Sequence, residues 1–307
     1  MTTSNDGLVI VDKPGGMTSH DVVARIRRLA GTRKVGHAGT LDPMATGVLV
    51  VGVDKATRLL GHLTLTEKQY DATIRLGQAT STDDAEGEIT STAPARGVTA
   101  EVLARAVNRL TGEIQQVPPA VSAIKVEGQR AYRLARDGAA PELKPRPVTV
   151  YEFTITGIRP AENGDTTDVD ATVRCSSGTY IRALARDLGQ DLGTGGHLTR
   201  LRRTRVGGYG LGQARTLEQL AERFEVLPLA QAAAAAFPRR DLSADEARRL
   251  AHGARLTAEP QPPQTPQPPQ PPQTARTTAA FAPDGSLVAL LTEQDGQARP
   301  LAVFAGS

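Results

Sequence analysis

Residues 36–47 read GHAGTLDPMATG, and they hold one acid, Asp42, with His37 as the only other ionisable side chain. An Asp that precedes a Pro is ordinarily a turn former, because its carboxylate caps a neighbouring amide while Pro sets the next φ. The glycines at 36, 39 and 47 exceed what one turn needs, and each allows close approach of backbone to a bulky neighbour. The stretch reads as a loop shaped around a ligand, with Asp42 as its charge. It runs into GVLVVGV (47–53), a continuous apolar run of the kind that forms a strand buried on both faces.

Working outward, LVIV (8–11) predicts another buried strand, stopped by DKPGG (12–16), whose Pro and glycines demand a turn. TSHDVVARIRRLAG (18–31) then carries a Ser/Thr cap, an early Asp, apolar Val22, Val23, Ile26 and Leu29, and a terminating Gly31. These are the marks of an amphipathic helix, here with a basic outer face. KQYDATIRLG (68–77), VTVYEFTIT (148–156) and VDATVRC (169–175) predict strands, and AEVLARAVNRLTG (100–112) and TYIRALARDLGQDLG (179–193) predict helices. Between Glu113 and Pro147 two Pro-rich flanks enclose a short helical patch with Tyr132, Arg133 and Arg136. A connection that long inside a compact domain is functional or disordered. After the alanine run at 232–236, a capped helix at 243–256 leads to strands at TTAAFA, SLVALLT and PLAVFA. Residues 259–273, EPQPPQTPQPPQPPQ, have no apolar residue except Pro and no Lys or Arg. They predict a polyproline II excursion or a disordered insertion.

The 307 residues suffice for one large domain and a small one. A single cysteine, Cys175, excludes an intrachain disulfide and suits a reducing compartment. No apolar stretch approaches a membrane span and the first residues lack a secretory pattern, so the chain reads as cytoplasmic and soluble. The 36 Lys and Arg against 33 Asp and Glu leave only +3, but the charge is clustered. Residues 196–215 hold five arginines and no acid, and with Arg25, Arg27, Arg28, Arg33 and Lys34 they read as a phosphate-binding surface.

Other candidates are weaker. His37 lacks a second His or Cys at metal-ligand spacing and reads as a structural ring or one that touches the ligand. STDDAEGE (81–88) lacks a full calcium-loop pattern and reads as a solvated loop. Cys175 ends an alternating strand, where a small buried residue is ordinary. Arg182 stands in the first turn of a helix, against the preference of the helix dipole; such an arginine answers a carboxylate elsewhere.

The chain resembles the bacterial TruB-type tRNA pseudouridine(55) synthases. The likeness rests on KPGGMTSHDVV (13–23), KVGHAGTLDPMATGVL (34–49), KQYDATIRLG (68–77), TGEIQQVPPAVSAIKVEGQRAYRLARDG (111–138), CSSGTYIRALARDLG (175–189) and HLTRLRRTRVG (197–207), in that order. It implies an α+β pseudouridine synthase fold, a mixed and largely antiparallel sheet flanked by helices and loops, over residues 1–237. An RNA-binding thumb would span 111–147. Residues 238–307 would form a PUA-like RNA-binding module interrupted by the Pro/Gln-rich insertion 259–273. It further implies Asp42 as the catalytic carboxylate, Tyr70 as the base-stacking ring and Arg182 as the partner of Asp42. His37, Thr40, Arg58 (a lysine in the family), Tyr180, Leu201, Arg202 and Arg203 are expected to contact the substrate.

The implied reaction breaks the bond from uracil N1 to ribose C1′ of uridine 55 in the T loop, turns the base and rejoins it through C5. It is an isomerisation by base flipping that demands no cofactor and no metal. The carboxylate would attack C1′, stabilise positive charge there or remove a sugar proton. The expected partner is the tRNA T stem-loop, bound by a monomer with no obligatory protein partner and no membrane. A non-catalytic RNA-folding chaperone and a guide-RNA-dependent rRNA pseudouridine synthase are the alternatives.

Overall fold

The computed structural model describes residues 6–121, 125–126, 129–130, 143–160, 165–258, 277–294 and 296–304. The helical patch expected around Tyr132 and the Pro/Gln-rich insertion at 259–273 lie outside these residues. The described strands are β1 (Gly7–Lys13), β2 (Val35–Ala38), β3 (Thr46–Val53), β4 (Lys68–Leu76), β5 (Gln78–Thr80), β6 (Ile89–Thr92), β7 (Gly112–Gln116), β8 (Lys125–Val126), β9 (Gln129–Arg130), β10 (Arg146–Pro160), β11 (Thr167–Cys175), β12 (Gly196–Val206), β13 (Tyr209–Gly210), β14 (Leu227–Pro228), β15 (Arg239–Asp241), β16 (Leu256–Thr257), β17 (Thr277–Phe281), β18 (Leu287–Gln294) and β19 (Gln297–Val303).

The large sheet runs β14-β1-β3-β12-β4-β11-β10-β7, with β2 added to β3 and β13 to β12. Every pairing along it is antiparallel except β3 with β12. A mixed α+β architecture with a largely antiparallel sheet is therefore what the chain adopts.

The apolar runs in β1 and β3 have a direct cause. Their alternate residues enter two different cores: Val9, Val11, Leu49, Val51 and Val53 pack against Val22, Val23 and Ile26 of the Ser19–Ala30 helix. Leu8, Ile10, Val48 and Val50 face Ala232 and Ala233 on the other side. A strand covered on both faces has no polar face to display. The Ser19–Ala30 helix begins with a capping box between Thr18 and Asp21 and ends at Gly31, in the left-handed region at φ 66°.

β4 and β11 are covered on one face only. Val169, Ala171, Val173 and Cys175 point into a core with Leu103, Ala106 and Val107 of the Ala100–Arg109 helix and Ile181, Leu184, Ala185 and Leu188 of the Ile181–Asp191 helix. The opposite face carries cross-strand polar pairs, Arg75 with Asp168 at 2.8 Å and Thr73 with Asp170 at 2.6 Å. Cys175 is fully buried, and burial pushes its thiol up to about 11, which makes it a packing residue.

The second sheet, β15-β17-β18-β19-β16, is formed by the C-terminal residues. It is not isolated from the first, because Phe281, Leu290 and Phe304 share one core cluster with Leu8, Val48, Leu59 and Phe237.

The parallel seam between β3 and β12 is short, pairing Arg202 with Thr46 and Arg203 with Gly47. Gly47 sits there at φ 99°, and a Cβ would stand 2.2 Å from the Arg203 carbonyl oxygen. Both the backbone angle and the approach require glycine. Gly47→Ala is expected to destabilise the fold by about 2 kcal/mol or more, read from urea unfolding; an unchanged midpoint contradicts this account of the seam.

Candidate active site

The loop between β2 and β3 emerges at the end of that seam, and its backbone is anchored residue by residue. The buried Arg203 side chain donates to the carbonyls of Gly39 at 3.1 Å and Thr40 at 3.3 Å, and its Nε to that of Val48 at 2.7 Å. Ser19 Oγ accepts from the Leu41 amide at 2.9 Å and donates to the Leu41 carbonyl at 3.1 Å. The Ala45 amide donates to the Asp42 carbonyl at 3.1 Å and the Gly16 amide to that of Pro43 at 2.8 Å. Lys13 Nζ reaches Pro43 O at 3.2 Å, as well as Pro14 O at 2.9 Å and Met17 O at 2.6 Å. Each carbonyl from Gly39 to Pro43 thus has a donor, and so ordered a loop holds its side chains in defined directions.

Asp42 is the side chain so presented. It is 35% exposed, and Arg182 Nε lies 3.0 Å from its Oδ2. That contact is an ion pair out of line for a hydrogen bond, and among the described residues no donor hydrogen-bonds the Asp42 carboxylate. The carboxylate therefore keeps its acceptor directions for a ligand.

Arg182 itself is buried, and its remaining donors are held from three sides. Nη1 donates to Thr82 O at 3.0 Å and lies 3.5 Å from Asp84 Oδ2, and Nη2 donates to Val121 O at 3.0 Å. The stretch 81–88 is thereby corrected from a solvated loop to part of the site. Asp84 is 2% exposed, and Asp83 pairs with Arg186 at 3.2 Å. Leu198 N donates to Asp83 O, so β12 draws the acidic turn against the arginines of the Ile181–Asp191 helix. Burial, reinforced by Asp84 and Asp42, raises the carboxyl of nearby Glu86 above its ordinary range.

Tyr70 and Leu201 are buried in the same apolar cluster as Leu41 and Ala45. Register explains their meeting: Leu201 lies opposite Ala72 and Arg203 opposite Tyr70 on adjacent strands. Burial raises the Tyr70 phenol, with the Arg203 guanidinium opposing it. His37 on β2 packs edge-on against His20 at 5.5 Å. Burial lowers its pKa from 6.5, and His20 and Arg203 lower it further, so the ring is neutral at pH 7. Thr40 is exposed on the loop, and Tyr180 precedes Arg182 as the residue that opens its helix.

Arg58 is placed elsewhere. It lies in the 3-10 turn Asp54–Leu59 and donates to Val303 O at 2.7 Å, on the C-terminal sheet. The five arginines at 196–215 do not form one surface, because four lie on β12, which turns successive side chains to opposite faces, and Arg215 lies beyond that strand. Arg203 is 1% exposed and holds loop carbonyls, Arg202 forms a bidentate pair with Asp12 at 2.7 and 3.1 Å, and Arg215 pairs with Glu225 at 3.3 Å. Arg203 therefore builds the site from within, while Arg202 ties β12 to Asp12 of β1. Sequence reasoning misses Lys13, Ser19, Asp84 and Gln116. Lys13 stands in a motif that signals only a turn, and Ser19 beside a helix cap.

Among the described residues no three His, Cys, Asp or Glu side chains cluster as metal ligands. The arrangement offers a half-exposed anionic oxygen, a buried guanidinium that stabilises it, and an aromatic and an aliphatic wall.

Residues 27–181 match the family described as TruB family pseudouridylate synthase (N terminal domain). The chain belongs to the TruB family. Residues 182–230 match the tRNA pseudouridylate synthase B C-terminal domain, and residues 237–305 match tRNA Pseudouridine synthase II, C terminal. The TruB relatives include the tRNA pseudouridine synthase B of Thermobifida fusca, 62% identical over 98% of this chain and 99% of its own. That of Streptomyces griseus subsp. griseus is 56% identical over 99% of both. Among solved structures, a chain of a Cbf5-Nop10-Gar1 complex covers 99% of this TruB chain and 84% of its own, with a TM-score of 0.71 and 27% identity. A chain of an H/ACA RNP bound to a substrate RNA containing 2'-deoxyuridine shares the fold, with a TM-score of 0.70 at 24% identity over 98% of this chain and 86% of its own.

The buried Lys13 gives the site a pH signature. Burial lowers its pKa from 10.5 to about 8, against the pull of Asp42. Between those values the unfolded chain holds a proton that the folded chain has lost, so this group's contribution to stability rises with pH through the window. The stability of wild type relative to Lys13→Met should therefore rise between about pH 8 and pH 10 in urea unfolding; a constant difference rejects the assignment.

Proposed function

We infer that this chain is a tRNA pseudouridine synthase, an isomerase that converts uridine 55 of the T loop to pseudouridine. What supports the reading above all is the Asp42 carboxylate, half-exposed on an anchored loop, 3.0 Å from the buried Arg182 guanidinium and without a hydrogen-bond donor of its own among the described residues. The family likeness supplies the reaction, and this geometry supplies a carboxylate suited to it.

In the proposed reaction the target nucleoside leaves the stack and enters the site, at a cost of a few kcal/mol that new contacts offset. Tyr70 and Leu201 border the uracil; a base on an aromatic face gains roughly 1–3 kcal/mol. The anionic oxygen of Asp42 acts at the ribose, as carboxylates act at the anomeric carbon in glycoside cleavage. The C1′–N1 bond breaks, the uracil turns, and C5 bonds to C1′. Overall C5 loses a proton and N1 gains one, so the atoms balance within one nucleotide. Arg182 keeps negative charge on Asp42 at the sugar, while Asp84 keeps Arg182 paired when Asp42 engages it.

His37, Thr40 and Tyr180 line the approach to the carboxylate. Arg58, the exposed arginines of the Ser19–Ala30 helix and the thumb at 111–147 contact the RNA backbone. The catalytic unit is residues 1–237, with a PUA-like RNA-binding module at 238–307. The enzyme acts as a monomer in the cytoplasm without a protein partner; among its described residues no helix is long and apolar enough to cross a membrane. The 56–62% identity to proteins named tRNA pseudouridine synthase B, against 27% to Cbf5, favours this reading over a guide-RNA-dependent one.

Purified protein incubated with unmodified tRNA should form pseudouridine at one position, mapped by chemical modification and primer extension. Asp42→Asn should retain tRNA affinity and give no product; pseudouridine formed by that variant at the wild-type rate rejects the assignment. Arg182→Lys keeps the charge but not the fork geometry, and its single-turnover rate should fall by about a hundredfold with folding retained.

A further inference from the structure

Arg182 does not reach Asp42 on the strength of its own helix alone. The Ile181–Asp191 helix opens at Tyr180, which provides no side-chain cap. What holds that end is Gln116, the last residue of β7, 1% exposed. Its Oε1 accepts from the Tyr180 amide at 2.8 Å and its Nε2 donates to the Tyr180 carbonyl at 3.1 Å. The same carbonyl accepts the first helical bond, from Leu184 N at 3.1 Å. The chain beyond Gln116 is tied to the helix twice more. Arg186 Nη2 donates to Val117 O at 2.8 Å and Arg182 Nη2 to Val121 O at 3.0 Å.

A buried amide at this place is not explained by packing. Ile114 on the same strand, and Val150 of β10 opposite Gly112, join the apolar cluster of Ile181 and Leu184, where a leucine or methionine would serve as well. An amide there is costly to desolvate unless both its donor and its acceptor are satisfied, and both are satisfied by one residue, two positions before Arg182. Hydrogen bonds in both directions fix the helix end against sliding, which non-directional apolar contact does not.

We propose that Gln116 is a positioning residue for the reaction: by clamping the Tyr180 backbone it sets the helix entry that aims the Arg182 guanidinium at Asp42. The inference rests on the functional reading above. Reactive groups tolerate little displacement, and about 1 Å of misplacement can lower a rate by two orders of magnitude.

The test is single-turnover pseudouridine formation on saturating unmodified tRNA by wild type, Gln116→Met, Arg182→Lys and the double variant, with tRNA affinity and melting temperature measured on each. Met matches the size of Gln and removes both hydrogen bonds. The expected result is wild-type tRNA affinity with a rate lowered by about tenfold or more, and no further loss when the change is added to Arg182→Lys, where there is no guanidinium left to aim. A purely structural role predicts instead a loss that follows melting temperature and adds equally in both backgrounds. A wild-type rate in Gln116→Met, or full additivity with Arg182→Lys, overturns the proposal. If Gln116→Met does not fold, Gln116→Glu, which keeps the acceptor and loses the donor, carries the same comparison. A wild type that makes no pseudouridine overturns the functional reading itself, and that arm alone reveals it.

Discussion

The Arg182 guanidinium stands between two carboxylates, 3.0 Å from Asp42 and 3.5 Å from Asp84, in a position where its side chain is 6% exposed. A charge so buried needs partners at every stage of a reaction, and removing one partner from such a group costs roughly 3–5 kcal/mol. Asp84, itself 3% exposed at its side chain, faces the same guanidinium and compensates it from the buried side. The carbonyls of Thr82 and Val121 take further donors, so the guanidinium is held as a plane rather than as a point charge. Asp42, by contrast, is restrained through its backbone, and beyond the Arg182 ion pair no donor among the described residues hydrogen-bonds its oxygens.

That division of roles depends on the seam where β3 meets β12. The two antiparallel halves of the large sheet join there through a short parallel contact, and a chain leaving the seam has carbonyls that no ladder satisfies. Arg203, Lys13 and Ser19 supply the missing donors from three different elements. Basic side chains inside this protein thus act first on its own backbone. Exposed basic residues remain for a polyanion on the Ser19–Ala30 helix and at its exit, at Arg25, Arg28, Arg33 and Lys34, and on β12 at Arg200 and Arg205.

The C-terminal sheet is joined to this framework rather than tethered to it. Phe281, Leu290 and Phe304 continue the core beneath β1 and β3, and Arg58 extends the contact by its bond to Val303 O. Contacts made along this face therefore bear on the same strands that support the loop carrying Asp42.

Much of the fold was legible from local pattern. The double-sided apolar runs of β1 and β3, the capped helix between them and the alternating β11 follow from residue periodicity, because burial on one or two faces leaves a direct trace in the sequence. Asp42 was legible because the glycines around it allow far more backbone freedom than a turn built on one acid requires, and Arg182 because it opposes its helix dipole. The arginines at 196–215 misled, since charge counted along a chain ignores that a strand sends neighbours to opposite faces; Arg202 went to Asp12 and Arg203 to the interior. Asp84 showed only as part of an acidic run that reads as a solvated loop, and Gln116 left no local trace at all. The sequence by itself determined which segments form strands and helices and which residue types are available for chemistry, as these follow from short-range sterics and hydrophobic periodicity. Only the tertiary structure decided which carboxylate is buried against which guanidinium, because that depends on residues far apart in the chain meeting in a low-dielectric interior where each charge must find its partner.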